Sequence, residues 1–282
     1  TINYKFIRTP LTCQTIKNIK KNELKKRPWV VAHRGYRAKY PENTIAAFEA
    51  AIAAEADMIE LDVCLTCDRI PVVIHDKTLD RTTNGKGLVS AHTLAELKEL
   101  DAGSWFGAEF KGEAIPTLEE LLLKIKGRIT VNVEIKPESF EAPAPPDAIE
   151  VQVCEMVERL EMEDSVLISS FEHFFFARIQ SWYRDQNISA KIRTATLQEA
   201  PLADDFAVAL CQRHKAYSYH PNECLVTPEL IQLLQTEGFR IFPYTINAEK
   251  RMEQLIKLGV SGIITDEPEL LWKVICRLQS SG

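Results

Sequence analysis

The feature that most constrains the fold is a regular alternation of short β-branched runs with segments of helical periodicity. This alternation is typical of parallel strands joined by helical crossovers. The chain has 282 residues, the usual length of a single α/β barrel rather than of two domains. We therefore predict an α/β fold, a (β/α)8 TIM barrel. The eight predicted strands are Trp29–Ala32, Met58–Val63, Ile129–Ile135, Val166–Ser169, Lys191–Thr194, Ala216–Tyr219, Arg240–Tyr244 and Gly262–Thr265.

One further strand-like run, Ile70–His75, does not fit this alternation. Only seven residues, 63–69, separate it from Asp62, whereas a parallel neighbour needs a crossover of a dozen or more. We therefore predict a hairpin that turns near Asp68 and Arg69. Residues 62 and 75 are equidistant from this turn, so the hairpin is predicted to pair Asp62 with His75. It would extend the second barrel strand above the mouth of the barrel.

Residues 76–116 follow the hairpin and are predicted to form a small subdomain inserted after the second strand. Thr93 and Glu96 have the spacing of a capping box, which predicts a helix of the insertion's own. Three aromatic residues are expected to supply its satellite core: Trp105, Phe106 and Phe110.

The charge is distributed unevenly along the chain. Residues 1–28 contain eight Lys or Arg and one Glu, a net charge of +7, so residues 29–282 carry −13 of the total of −6. We predict a basic arm at 1–28 that precedes a single catalytic barrel domain at 29–282, and a weak contact of this arm with a membrane surface stays open. The acidic body argues against nucleic acid as a partner.

Neither membrane insertion nor secretion is indicated by the sequence. It has no run of 18 or more apolar residues, and its N-terminus lacks an apolar signal segment. Seven cysteines without a disulfide-like framework are typical of a reducing compartment. We therefore expect a cytoplasmic protein, and the sequence leaves the oligomeric state open.

Three carboxylates are the first candidates for chemistry. Glu60 and Asp62 lie two residues apart on a predicted strand, so both point to one face. Inside a barrel the two acids would repel each other and lose hydration, a cost that a hard divalent cation relieves. Glu134 and Lys136 repeat the spacing on the next barrel strand. The pattern predicts one divalent cation, Mg²⁺ or Ca²⁺ with Mn²⁺ as a further candidate, although ordinary solvated acids and a salt bridge from Lys136 to Glu134 or Glu60 stay open.

Two histidines and two basic side chains are expected at the same end of the barrel. His33 ends the first strand, at the face where barrel active sites lie, and the hairpin sets His75 near the carboxylates. Arg34 is a candidate for bidentate phosphate binding, Gly35 permits a close backbone approach, and Lys136 adds a second cation. A single histidine in such a place is often structural, so the convergence carries the prediction.

Ordered motifs run through residues 29–272: Ala32-His-Arg-Gly35, Pro41-Glu-Asn-Thr44, Glu60-Leu-Asp62, Val73-Ile-His-Asp76, Leu79-Asp-Arg-Thr-Thr83, Ile115-Pro-Thr-Leu-Glu-Glu120, Glu134-Ile-Lys136, Tyr244-Thr-Ile-Asn247 and Thr265-Asp266. With these motifs the sequence resembles the glycerophosphodiester phosphodiesterase family. The resemblance implies a barrel with an insertion after its second strand. It also implies metal ligation by Glu60, Asp62 and Glu134 and acid–base roles for His33 and His75.

Two features depart from the family pattern. Tyr244 stands where many members have Trp, and residues 1–28 match no family feature. The candidates for the wall of the substrate pocket are Phe171, His220 and Tyr244.

The expected function is metal-dependent hydrolysis of glycerophosphodiesters to glycerol 3-phosphate and an alcohol. A small-molecule substrate is therefore the expected partner. A lysophospholipase D or a cyclising phospholipase-like activity on a lipid is one alternative, and an inactive metal- or phosphate-binding barrel is another. The head group, the ion, the acid–base assignment of the histidines and the nucleophile, water or a substrate hydroxyl, stay open.

Overall fold

Residues 27–201 and 203–280 are described by a computed structural model of the chain. Within them, eight parallel strands form the wall of a barrel, and a ninth strand is the outer arm of a hairpin. The strands are β1 (Trp29–Ala32), β2 (Met58–Leu65), β3 (Pro71–Val73), β4 (Thr130–Ile135), β5 (Val166–Ser170), β6 (Arg193–Gln198), β7 (Ser218–Pro221), β8 (Arg240–Ile241) and β9 (Gly262–Thr265). The α-helices are α1 (Ile45–Ala53), α2 (Leu94–Lys98), α3 (Leu118–Ile125), α4 (Ile149–Arg159), α5 (Phe174–Asp185), α6 (Asp204–His214), α7 (Pro228–Thr236), α8 (Glu249–Lys257) and α9 (Pro268–Ser280). Short 3₁₀ helices span Val89–Ala91, Ala108–Phe110, Pro137–Ser139 and Glu223–Leu225.

Hydrogen bonds connect the barrel strands in the order β8-β7-β6-β5-β4-β2-β1-β9, and every neighbouring pair on this path is parallel. The remaining gap between β8 and β9 is bridged by backbone bonds. Ser261 N donates to Ile241 O (3.0 Å), and Ile264 N donates to Pro243 O (3.0 Å). The sheet is therefore nearly closed, which confirms the predicted barrel.

The predicted strand bounds are correct for β1 and β9 but not for β6, β7 and β8; β7 begins and ends two residues later than predicted. β6 begins at Arg193 and runs to Gln198, further along the chain than predicted. Its polar Thr194 and Thr196 are buried because β5 and β7 flank them, a cause that the sequence of β6 does not contain. β8 is limited to Arg240–Ile241, and Pro243, which has no N–H to donate, follows directly beyond Phe242.

β2 and β3 form the predicted antiparallel hairpin, but the predicted register is wrong by one residue. Ile74 N donates to Asp62 O (3.1 Å), so Asp62 lies opposite Ile74 rather than His75. The turn has a three-residue loop, 67–69, in which Arg69 has a positive φ of 63°. His75 consequently enters the barrel mouth from the segment beyond β3.

Residues 76–116 contain α2 and two of the 3₁₀ helices and no barrel strand. The capping box of Thr93 and Glu96 is present at the start of α2, as predicted. This segment and the hairpin together bury one apolar cluster, made of Cys64, Val72, Ile74, Leu79, Val89, Leu97, Ala102 and Ile115.

The aromatic satellite core predicted for this segment is wrong in its members. Trp105 and Phe106 are 39% and 36% exposed, and Phe106 contacts Trp105 and Phe110 edge to face, with ring centroids 5.6 Å apart in both pairs. Mostly aliphatic residues fill the buried cluster instead, because they lie on the side that faces β2 and β3.

Two further predictions concern the basic arm at residues 1–28 and membrane insertion. The basic arm at 1–28 lies almost entirely outside the described residues; Arg27 forms an ion pair with Asp57 (2.6 Å) and stacks on Trp272. Among the described helices, none is both long enough and apolar enough to cross a lipid bilayer.

Candidate active site

Three carboxylates come from two adjacent strands of the barrel. Glu60 and Asp62 lie on β2, and Glu134 lies on β4 directly beside Asp62 in the parallel register. All three are buried, and they offer carboxylate oxygens that lie within 4.8 Å of one another. Within residues 27–201 and 203–280 this is the one group of three or more His, Cys, Asp or Glu side chains whose ligand atoms lie this close together.

The protonation of the triad reflects this crowding. Burial and the two neighbouring carboxylates raise the pKa of Glu60 well above its usual range. Burial and Asp62 raise the pKa of Glu134 to about 7. Burial also disfavours the charged form of Asp62, but Arg34 and Lys136 outweigh it and lower the pKa of that carboxyl. The site therefore holds more carboxylates than its own cations neutralise. An all-oxygen donor set of this kind fits a hard divalent cation.

Arg34 and Lys136 balance part of the negative charge. The Arg34 backbone N–H donates to Glu60 Oε2 (2.9 Å), and its Nε lies 3.3 Å from Asp62 Oδ2. Lys136 Nζ donates to Glu134 Oε1 (2.8 Å) and lies 3.4 Å from Asp62 Oδ1. The salt bridge from Lys136 to Glu134 that the sequence left open is thus present. Both cations also line the cavity, where they can reach an anion.

Each predicted catalytic histidine is held by an aspartate. His33 Nδ1 lies 2.7 Å from Asp266 Oδ1, and His75 Nδ1 lies 2.6 Å from Asp76 Oδ1. A carboxylate beside Nδ1 favours the tautomer with a proton on that nitrogen, so Nε2 of the neutral ring is left as an acceptor. Burial lowers the pKa of His33, whereas its hydrogen bond with Asp266 acts in the opposite direction.

The turn after His33 requires glycine. Gly35 has φ = 84°, and a Cβ on it would lie 2.7 Å from the backbone carbon of Ala47 at the start of α1. Arg34 also has a positive φ, 53°, and this conformation directs its N–H toward Glu60. The predicted close backbone approach at Gly35 is confirmed.

A cavity of about 800 Å³ opens above these groups. Phe171 and Tyr244 line it with their rings edge to face at 6.1 Å, so both are placed where a substrate wall would lie. Trp105, Phe106 and Phe110 do not line it. Asp62, which lies in the buried triad, does not line the cavity. The predicted site residues that line it are His33, Arg34, Glu60, His75, Glu134, Lys136, Phe171 and Tyr244.

Sequence comparison identifies the family to which the residues around this cavity belong. A model of the glycerophosphoryl diester phosphodiesterase family matches residues 33–270, which include every carboxylate and histidine described above. This chain belongs to that family. The family is one of enzymes, so the expectation of a phosphodiesterase is confirmed, as is the resemblance on which it rested.

Relatives and solved structures agree with this membership. The chain is 42% identical over 247 residues to a glycerophosphodiester phosphodiesterase of Caldanaerobacter subterraneus subsp. tengcongensis, covering 87% of this chain and 97% of that protein. Among solved structures it is similar to an Oleispira antarctica phosphodiesterase in complex with the product sn-glycerol-3-phosphate (TM-score 0.79, 30% identity, 90% and 98% coverage). It is also similar to a glycerophosphodiester phosphodiesterase from Agrobacterium tumefaciens (TM-score 0.73, 30% identity, 86% and 98% coverage).

Sequence reasoning placed His220 in the cavity wall, but the structure places it inside the barrel. His220 is 1% exposed and does not line the cavity. Its Nε2 lies 2.9 Å from Ser218 Oγ, its ring packs against Phe242, and Nδ1 has no hydrogen-bond partner among the described residues. Ser218 and His220 lie two residues apart on β7, so both side chains point to the same side, the inside of the barrel.

His220 gives a prediction for stability. Burial lowers the pKa of this histidine to about 3, so between pH 6.5 and 3 the unfolded chain binds a proton that the folded chain does not. Stability is therefore lost as pH falls through this window, by at most about 1.4 kcal/mol per pH unit for one group. We expect His220→Gln to have a shallower pH dependence of the urea-unfolding free energy below pH 6.5, and a constant difference from wild type at pH 7.5–8.5. Parallel curves for the two proteins down to pH 5 would contradict this assignment.

The aspartates behind the histidines were missed by sequence reasoning, although both lie in motifs that it quoted. Asp76 directly follows His75, and Asp266 directly follows the last barrel strand. The second position carried a usable signal, since residues at the carboxyl ends of barrel strands meet at one face. Asn247, at the end of another quoted motif, donates from Nδ2 to Asp266 Oδ2 (2.7 Å) and so supports the aspartate behind His33.

Proposed function

We propose that this chain hydrolyses small glycerophosphodiesters to glycerol 3-phosphate and an alcohol, in a reaction that depends on one divalent cation. The observation that carries the proposal is that two aspartate-held histidines line one cavity together with Glu60 and Glu134, two members of the buried carboxylate triad. The product complex of the similar Oleispira antarctica phosphodiesterase supports the choice of substrate class.

Glu60, Asp62 and Glu134 are the residues that would hold the cation. Their oxygens suit Mg²⁺ or Ca²⁺, and Mn²⁺ fits the same donor set. When bound, a divalent cation neutralises charge on a nonbridging phosphate oxygen.

Arg34 and Lys136 would bind the remaining phosphate oxygens. Both line the cavity, and both already contact the carboxylates that would hold the cation. A phosphate placed between them would exchange part of its hydration for charge-assisted hydrogen bonds. Phe171 and Tyr244 would form an apolar wall beside it.

The two histidines would move the protons. One imidazole takes a proton from the attacking hydroxyl as the new P–O bond forms. The other donates a proton to the departing alcohol oxygen as the old P–O bond breaks. Asp266 and Asp76 would keep Nε2 of His33 and His75 available for these transfers. Either ring can serve as the acid in this scheme.

The attacking hydroxyl is water or the glycerol hydroxyl of the substrate, and the second route passes through a cyclic phosphate. ³¹P nuclear magnetic resonance during turnover distinguishes them, because a cyclic phosphodiester has its own resonance. A transient cyclic signal would support the substrate hydroxyl, and direct appearance of glycerol 3-phosphate would support water.

The proposed function predicts a metal-dependent release of glycerol 3-phosphate. We expect turnover of glycerophosphocholine and glycerophosphoethanolamine by the purified full chain with Mg²⁺, Ca²⁺ or Mn²⁺, and its loss on treatment with excess EDTA. Glycerol 3-phosphate is measured with a coupled dehydrogenase assay. Adding back each ion separately identifies the ion that restores activity.

The same assay tests the alternatives. A rate with lysophospholipids that exceeds the rate with both soluble diesters would replace the proposal by a lysophospholipase D activity. No turnover of any of these substrates with any of the three ions would refute the enzymatic proposal and leave a binding barrel.

A further inference from the structure

A chain of alternating charges connects the two histidines behind the cavity. Asp266 binds His33, and Asp76 binds His75. Each aspartate also contacts an arginine, and both arginines donate to one buried carboxylate, Glu42, which is 4% exposed. The full order of contacts is His33, Asp266, Arg37, Glu42, Arg81, Asp76 and His75.

The arm toward His75 has bidentate contacts on both sides. Arg81 donates from Nη1 and Nη2 to the two oxygens of Glu42 (3.0 and 2.8 Å). The same guanidinium donates from Nε and Nη2 to the two oxygens of Asp76 (2.7 and 2.9 Å). Planar paired contacts of this kind fix orientation as well as distance.

The arm toward His33 is looser but continuous. Arg37 Nε donates to Glu42 Oε2 (2.9 Å), and Arg37 Nη1 lies 3.2 Å from Asp266 Oδ2. Asp266 Oδ2, the oxygen that Arg37 contacts, also accepts a hydrogen bond from Asn247 Nδ2 (2.7 Å). Glu42 also accepts from Arg34 Nη1 (2.9 Å), so three guanidinium groups surround one carboxylate.

We propose that Glu42 is a positioning residue that sets the orientation of both histidines at once, through Arg37 and Asp266 on one side and Arg81 and Asp76 on the other. Three guanidinium groups around it lower the pKa of Glu42 well below its usual range, although burial acts in the opposite direction. Glu42 does not line the cavity and would act on the reaction only through its partners. This inference rests on the proposed two-histidine mechanism.

The motifs that contain Glu42 and Arg81 receive a physical role in this way. The family match covers both, but neither residue lines the cavity, and neither lies on a barrel strand. A carboxylate that holds the side chains behind two catalytic groups reduces the number of orientations those groups sample, which favours the reactive one.

The test uses imidazole ¹⁵N–¹H correlation spectra of the full chain, a readout that does not depend on activity. The chain has six histidines, and His33→Ala and His75→Ala assign the two signals of interest. We expect Glu42→Gln to change the Nδ1–H resonance of both rings. Arg37→Met is expected to change that of His33 alone, and Arg81→Met that of His75 alone.

Kinetics provide the second readout. Glu42→Gln is expected to lower kcat about 10- to 100-fold, the range typical for residues that orient metal ligands, and to raise KM only as far as the lost contact with Arg34 weakens phosphate binding. Glu42→Asp is expected to recover part of this loss. Metal affinity, measured by calorimetry, is expected to stay near wild type in Arg37→Met and Arg81→Met, because neither arginine contacts the carboxylate triad.

Glu150→Gln is the matched control. Glu150 is 2% exposed and pairs with Arg178 (3.2 Å) outside the cavity, so this variant also removes a buried charge beside an arginine. We expect wild-type kcat and unchanged signals for His33 and His75.

Several outcomes would overturn the proposal. A change at only one ring or at neither in Glu42→Gln, or an equal loss of kcat in Glu150→Gln, would reduce Glu42 to a structural residue. If Glu42→Gln does not fold, the two arginine variants decide, since the side chains of Arg37 and Arg81 are 35% and 40% exposed; unchanged histidine signals in both would refute it. If activity does not depend on His33 and His75, the proposed mechanism is refuted. The spectra of the variants still test whether Glu42 orients the two rings.

Discussion

Replacing His33 or His75 by alanine is expected to lower kcat by about 10²- to 10⁴-fold, the range typical of a positioned general acid or base. KM should change far less, because Arg34 and Lys136, the proposed phosphate-binding residues, stay in place. Steady-state release of glycerol 3-phosphate measures both constants.

The double variant sharpens this prediction. If the two rings act in one transition state, the double variant should lower kcat by a factor far smaller than the product of the two single-variant factors. His92→Ala is the control, because His92 lies outside the cavity and its Nδ1 is near Leu88 O (2.8 Å). A near-normal kcat in both single variants would defeat the two-histidine scheme, and a comparable loss in His92→Ala would indicate a general effect on folding.

The second large effect concerns the carboxylate triad. In wild type, a cation at 100 times its Kd is expected to stabilise the folded chain by about 2.7 kcal/mol, which raises Tm by roughly 5–10 °C for a domain of this size. Glu60→Gln is expected to abolish this shift and most turnover. Glutamine resembles the protonated carboxyl that the raised pKa of Glu60 favours, so the metal-free variant should be at least as stable as wild type.

Differential scanning fluorimetry with EDTA and with each ion provides the measurement. Glu150→Gln again serves as control, since it removes a buried carboxylate that does not belong to the triad. A full ion-dependent shift in Glu60→Gln would exclude Glu60 from the metal site, and a shift absent from wild type would contradict metal binding altogether.

Most of the fold could be predicted from local patterns. Strands such as Trp29–Ala32 and Gly262–Thr265 are apolar throughout or nearly so, because both faces of a barrel strand are covered. The errors fell where burial comes from neighbours, as at Thr194 and Thr196, or where one backbone torsion decides, as at Arg69. The hairpin loop has three residues with a positive φ at Arg69, and its length, which no periodicity encodes, sets a register one residue away from the predicted one.

The site divides in a similar way. The spacing of Glu60 and Asp62 predicted a shared face, and the structure brings Glu134 to within the same 4.8 Å. His220 obeyed the same alternation, but whether a residue inside a barrel reaches the cavity depends on its layer, which the strand's own sequence does not define.

By itself the sequence determined the strand faces, the capping box of α2 and the residues that two-residue spacing on one strand must place together. The tertiary structure decided the individual pairings of distant residues: His33 meets Asp266 across 233 positions, and Glu42 meets Arg81 across 39. Closure of the barrel brings the carboxyl ends of all its strands to one rim, so groups with no local relation in the chain become neighbours there. Local propensity fixes the direction in which each side chain points, and only the closed sheet fixes what it meets.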